Sequence, residues 1–192
     1  KVIRGGQTWT SDPVVAKINP VAVAINVNSD TKVYNADDPV FSGTVSKLVS
    51  ESDLGEITYG RLAADASKEN VGDDITLTAF YTENDNYNVT VINGKLVITP
   101  SDENAIVATG ITKTYDGRTA SIVANAAQPD STIEYSVDGQ SWTAINPVFI
   151  NVGTYTVQVR ATKPNYESVS ASADVVVNPA TITVTANNQT KI

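Results

Sequence analysis

The stretch INVGTYTVQVRATKPNYESVSASADVVVNP, Ile150 to Pro179, alternates apolar and polar residues through two long runs. TYTVQVRAT and VSASADVVV both have period two and are rich in Val, Thr and Tyr, which suits half-buried strands. Lys163-Pro164-Asn165 separates them with turn chemistry. A second stretch, ENVGDDITLTAFYTENDNYNVTVINGKLVITP from Glu69 to Pro100, has the same plan. Asn70-Val71-Gly72 pairs with Asn151-Val152-Gly153, and Asn86-Tyr87 with Asn165-Tyr166. Each stretch then closes on a strand and a proline.

Self-similarity extends outward. PVAVAINVNSDTKV (Pro20 to Val33) aligns without a gap with PATITVTANNQTKI (Pro179 to Ile192). Pro100 to Gly117 is a weaker third copy with one extra residue, so Lys113 and Tyr115 correspond to Lys32 and Tyr34. The period is roughly 80 residues, the size of a small domain. Asp12 to Pro20 resembles Asp174 to Pro179, the last strand of a module. The expected organisation is a remnant of a preceding module at 1–19, a first module at 20–100, a second at 101–179, and the opening strand of a truncated third at 180–192.

Short alternating strands with tight turns predict an all-β chain of two tandem antiparallel, immunoglobulin-like β-sandwich modules. In the second module seven strands are expected, at 105–109, 112–115, 119–125, 132–137, 141–145, 154–162 and 169–178. Asn93-Gly94 and Asp138-Gly139 read as two-residue hairpin turns, where both central residues can take φ > 0. Tyr155 is expected to hydrogen-bond back to the backbone at a tyrosine corner, whereas the first module has Asp74 there. A possible helical turn at Ser46–Glu56 leaves a β-grasp-like fold open for the first module, while 63–70 reads as an exposed loop.

Composition narrows the function. The chain has 192 residues, net charge −8, and no Cys, His or Met. An acidic chain without basic clusters argues against nucleic acid. The missing Cys and His remove disulfides, thiolate metal sites, the commonest zinc ligand and the commonest general base. No apolar run reaches the roughly 20 residues of a membrane helix. The opening KVIRGGQTW lacks the apolar core of a secretory leader, so the chain reads as a piece of a longer precursor.

The residues from Val27 onward resemble MBG-type repeats of bacterial surface and adhesin-like proteins, which run T-K-x-Y-G-x-x-D-P, then V-G, then N-Y, then G-x-L-x-I-x-P. Thr31, Lys32, Tyr34, Asp38, Pro39, Val71, Gly72, Asn86, Tyr87, Gly94, Leu96, Ile98 and Pro100 match. Asn35 stands where the pattern has Gly, and Asn also visits the left-handed region. The second module resembles Ig-like repeats of Gram-positive surface proteins. The resemblance implies a non-catalytic, secreted or cell-wall-anchored repeat protein. It would act as a semi-rigid spacer or adhesion stalk, with Pro20, Pro100 and Pro179 marking short joints. A carbohydrate- or mucin-binding module, or an accessory domain of a secreted glycan-degrading enzyme, is the alternative. Expected partners are neighbouring repeats and a host glycan, mucin or matrix protein, with no cofactor.

Candidate chemistry is sparse. Trp142, Tyr135, Tyr81, Tyr87 and Tyr166 are the aromatic side chains that could stack on sugar rings. The acidic loops hold Asp37, Asp38, Asp73, Asp74, Glu83 and Asp85, without EF-hand spacing, so solvated turns are expected rather than calcium ligation. No pair of carboxylates sits in a glycosidase signature. Lys32 or Lys113 cross-linked to Asn93 or Asn178 is a covalent possibility, but a lysine at an outward strand end is expected to be a solvated edge charge.

Overall fold

The computed structural model describes residues 2–191. Lys1 and Ile192, the outer ends of the 1–19 and 180–192 segments, lie outside the described residues. The chain divides into two compact units. Unit 1 comprises Lys1–Asp30, Pro39–Ser67 and Asp74–Leu96, and unit 2 comprises Thr31–Asp38, Lys68–Asp73 and Val97–Ile192. The structure is all β apart from one 3-10 turn at Ala63–Asp65 among the described residues.

Unit 1 begins with a hairpin of β1 (Val2–Arg4) and β2 (Gln7–Trp9). Gly5 and Gly6, at φ +62° and +76°, form its two-residue turn, as a primed hairpin turn requires. β3 (Val21–Val27) is the middle strand of a three-stranded sheet, between β5 (Gly43–Val45) and β8 (Tyr87–Ile92). A second sheet runs β4 (Asp30–Val33), β9 (Gly94–Thr99), β7 (Ile75–Phe80), β6 (Thr58–Arg61), and the unit boundary passes through β4 and β9. Alternation buries Val23, Ile25 and Val27 from β3, and Ile75, Leu77 and Ala79 from β7. Each large aliphatic side chain contributes about 2 kcal/mol when removed from water.

In unit 2 the stretch Ile150 to Pro179 forms β14 (Gly153–Thr162) and β15 (Val169–Asn178). They pair antiparallel from Gly153↔Val177 to Ala161↔Val169. With β11 (Ile111–Thr114) and β13 (Thr132–Ser136) they make the sheet β11-β15-β14-β13. β10 (Ile106–Thr109) and β12 (Val123–Ala126) form the facing pair. Ala120, Ile122, Val157, Val159, Val175 and Val177 fill the core, with Ile106, Ala108 and Ala124 packed against them.

Several expectations change. The 141–145 strand is reduced to one bridge, Tyr135↔Thr143, and the 119–125 strand to Val123–Ala126 plus the bridge Ala120↔Phe149. Ser46–Glu56 folds as successive turns around fully buried Leu54, so the β-grasp alternative loses its helix. The sheets are mixed rather than antiparallel throughout, because β3 pairs parallel with β8 and β11 parallel with β15. Finally, Asn93-Gly94 is no hairpin turn: β8 and β9 belong to different sheets, and the dipeptide carries the chain from one to the other. Gly94 is there for closeness, since a Cβ on it would lie 2.5 Å from the Asn28 carbonyl oxygen.

A turn forms at Asp138-Gly139, but not the two-residue hairpin expected: Gly139 is at φ +73° while Asp138 is not left-handed, and the single bridge Tyr135↔Thr143 closes it. The tyrosine corner forms too: the Tyr155 hydroxyl donates to the Asn151 carbonyl at 3.3 Å, and its ring stacks on Phe149 at 4.2 Å. In unit 1 Asp74 instead accepts an ion pair from Lys95 at 2.8 Å. Segments 10–20 and 180–191 carry no regular structure, and Val14, Ile18, Ile182 and Val184 are exposed along them.

Candidate functional site

The turn after β4 is built around a lysine. Lys32 alternates inward from Thr31 and Val33, and its side chain is only 6% exposed. Its ammonium donates to Asp38 Oδ1 at 2.9 Å and Glu69 Oε2 at 2.6 Å, which ties the 35–38 turn to the 68–73 loop. Burial works to lower the Lys32 pKa, but the hydrogen bonds to Glu69 and Asp38 outweigh it and hold the group above 10.5. The expectation of a solvated edge charge therefore fails for Lys32: the carboxylates reach it from loops that sequence spacing did not connect. Lys113 is engaged similarly, on Asp116 at 2.5 Å and the Arg118 carbonyl at 3.1 Å. A protonated amine is not a nucleophile, so the ion pairs that raise the Lys32 pKa hold that lysine away from cross-link chemistry.

Next to Lys32 the chain reverses through Val33–Ala36, closed by the Ala36 N–H donating to the Val33 carbonyl at 3.0 Å. Asn35 sits at φ +67°, the conformation that explains a glycine in the repeat pattern. Asn also brings a donor: its Nδ2 reaches the Tyr166 hydroxyl at 3.3 Å. The Tyr34 ring meets the Tyr166 ring edge-on, with centroids 5.4 Å apart.

All of this lies within unit 2, where the 163–167 loop is the counterpart. Asn165, at φ +68°, aims its amide at the Asn-Val-Gly corner. Its Oδ1 accepts the Val71 N–H at 2.9 Å and its Nδ2 donates to Asn70 Oδ1 at 2.9 Å. Its carbonyl accepts the N–H of Ser101 at 3.0 Å, and the Ser101 carbonyl accepts the Glu167 N–H at 2.9 Å. Ser101, the residue after Pro100, is thus buried and pinned on both sides. Sequence reasoning saw Asn-Val-Gly and Asn-Tyr recur, but it did not pair one with the other.

The aromatic candidates do not converge. Tyr81 and Tyr87 share a cleft of about 230 Å³ in unit 1 with Glu83, Asn84 and Asp85. The Tyr87 ring is buried; its hydroxyl donates to Asp53 at 2.5 Å and accepts the Val49 N–H at 3.0 Å. The Asp53 hydrogen bond raises the Tyr87 pKa above 10. Tyr135, Trp142 and Tyr166 belong to unit 2. Tyr135 lines a hollow of about 190 Å³ with Asp138 and Pro147. Trp142 has one face covered by the Arg160 guanidinium at 4.4 Å, itself paired with Glu134 at 2.7 Å. Tyr166 lies under the Lys163 ammonium at 5.2 Å as well as against Tyr34.

The acidic loops are mostly engaged in the fold. Asp38 and Asp74 hold lysines, and Asp73 Oδ2 accepts the Asn70 N–H at 2.8 Å. Among the described residues no three Asp or Glu side chains gather as a cation site would need.

The left-handed Asn35 stands where the resembled repeat pattern has Gly, after Tyr34 and ahead of the Asp38-Pro39 step. Residues 23–97 match the MBG domain, YGX type. The MBG domain is a repeat-type, non-catalytic family found in bacterial surface proteins. The match covers fewer than half of the 192 residues, and its span includes the Lys32 turn, the Asn70-Val71 corner and the Tyr81–Tyr87 cleft. No curated protein matches the chain. Among the described residues no helix is long and apolar enough to cross a membrane.

Proposed function

We propose that the chain is a non-catalytic piece of a repeat array on a bacterial surface or secreted protein, with modules at 20–100 and 101–179, serving as a semi-rigid spacer or adhesion stalk. The observation that carries this reading is the treatment of the residue after Pro100. Proline fixes φ, and Ser101 is then held by two backbone hydrogen bonds to Asn165 and Glu167 rather than left in solvent. A spacer needs joints of this kind, because a flexible linker lets length grow only as the square root of residue number. The test is small-angle scattering on chains carrying one and two copies of residues 20–179. A linear gain in maximum dimension supports a spacer; square-root growth sinks it.

A second reading rests on the Tyr81–Tyr87 cleft, where Glu83, Asn84 and Asp85 supply hydrogen-bonding groups beside an aromatic ring. This combination suits a sugar. It predicts glycan-array signals that the Tyr81→Ala variant loses, and an array without hits removes it. An extracellular location and a host glycan, mucin or matrix partner belong to these readings.

A further inference from the structure

The joint at Pro100 has counterparts elsewhere in the chain. The Tyr34 N–H donates to the Thr99 carbonyl at 2.8 Å, just before Pro100. The Tyr115 N–H donates to the Asn178 carbonyl at 2.8 Å, just before Pro179. On the other side of the joint, the Ser101 N–H donates to the Asn165 carbonyl. The Val21 N–H, after Pro20, likewise donates to the Asn86 carbonyl at 2.8 Å. The Asn86 and Asn165 carbonyls therefore accept at matching positions, although only Asn165 is left-handed.

The receiving half is also duplicated. In β15 Val177 is flanked by Lys113 on one side and Gly153 on the other. Tyr115 and Asn151-Val152 thus stand on either side of the exit at Asn178-Pro179. These residues correspond to Tyr34 and Asn70-Val71, yet they are open: Tyr115 is 44% and Val152 50% exposed. The segment that leaves this surface, 179–192, is a gapless copy of 20–33.

We propose that Tyr115 and Asn151-Val152 form a docking socket for the Asn-Tyr loop of a further copy of the repeat. The occupant's Asn side chain accepts the Val152 N–H and donates to the Asn151 amide oxygen, as Asn165 does at Val71 and Asn70. The contact is directional, since Asn-Val corner and Asn-Tyr loop are different surfaces, so copies add head to tail. This rests on the repeat-array reading above.

The test extends the full chain: residues 1–179 run directly into Val21–Ile192 of a second copy, replacing the tail by its own counterpart. Amide hydrogen exchange then reads the Val152 N–H. The expected result is about tenfold slower exchange than in the single chain, lost when Asn86→Ala is placed in the second copy only. The Val71 amide stays protected throughout. Unchanged Val152 exchange, with Leu77 and Leu96 of the second copy protected as in the first, overturns the docking socket and leaves the repeat reading standing. A second copy without that protection overturns the repeat reading and the socket with it.

Discussion

Asn165 holds Val71 through its side chain: the Val71 N–H donates to Asn165 Oδ1 at 2.9 Å, across 94 residues of sequence. The same amide donates to Asn70 Oδ1, so one side chain satisfies both polarities of the corner. Asn165→Ala should cost about 2–3 kcal/mol, from two lost hydrogen bonds and an alanine forced to φ > 0. Asn165→Gly keeps the backbone conformation and should cost about 1 kcal/mol less. Urea midpoints of the two variants check this; equal midpoints would show that backbone conformation does not contribute.

Lys32 supplies a basic limit to stability. Its folded pKa lies above the ordinary 10.5, so its contribution is complete below pH 10.5 and is lost as pH rises through the folded value. Lys32→Met should lower stability at neutral pH by about 1–2 kcal/mol, a modest figure because half of the Glu69 side chain faces water. The variant should also lose much of the alkaline decline. Melting temperatures from pH 8 to 11 measure both, and a variant with the wild-type alkaline slope would refute the assignment.

Asp138 acts at the opposite end of the scale. Its carboxylate accepts the Ser141 N–H at 2.7 Å, the Gln140 N–H at 2.8 Å and the Ser136 hydroxyl at 2.9 Å. The backbone N–H groups of Ser141 and Gln140 hold it well below the usual carboxylate range. The stabilisation is present above pH 3.8 and disappears as pH falls below it. Asp138→Ala should lower the melting temperature at pH 7 more than at pH 2. Asp116, held low first by the Lys113 ammonium, adds a parallel acid dependence that the variant keeps.

Gly94→Ala tests the crossing between sheets. The added methyl would meet the Asn28 carbonyl oxygen at 2.5 Å and the Val27 carbonyl oxygen at 2.8 Å, both backbone atoms. A loss of about 1–3 kcal/mol is expected in chemical denaturation. A hairpin-turn glycine at φ > 0 would be rescued by Asn; here Gly94→Asn should be worse than Gly94→Ala, because the larger side chain meets the same backbone.

Alternation alone located β14 and β15, because period two is a property of one strand and its nearest neighbours. Tyr155 was equally legible, since its hydroxyl reaches only four residues back to Asn151. Gly94 was misread for the complementary reason: Asn-Gly is a turn signal in isolation, but the strands on its two sides pair with distant partners, β8 with β3 and β9 with β7. The hairpin at Gly5-Gly6 carries its signal in the Gly-Gly dipeptide alone, because the short strands around it lack a clear apolar alternation.

What the sequence by itself determined is an all-β chain with a recurring set of Asn-Val-Gly and Asn-Tyr steps. These are local signals, carried by side-chain period and turn propensity. Tertiary structure alone decided what the steps are for. Tyr87 and Tyr166 follow the same Asn, yet one is buried on Asp53 and the other meets Tyr34 and Asn35. Lys32 and Lys113 share a motif, but Lys32 is closed over by Glu69, and Ile150 stands before the second corner where Glu69 stands before the first. A side chain's partner depends on which distant loop arrives beside it, and no period along the chain encodes that distance.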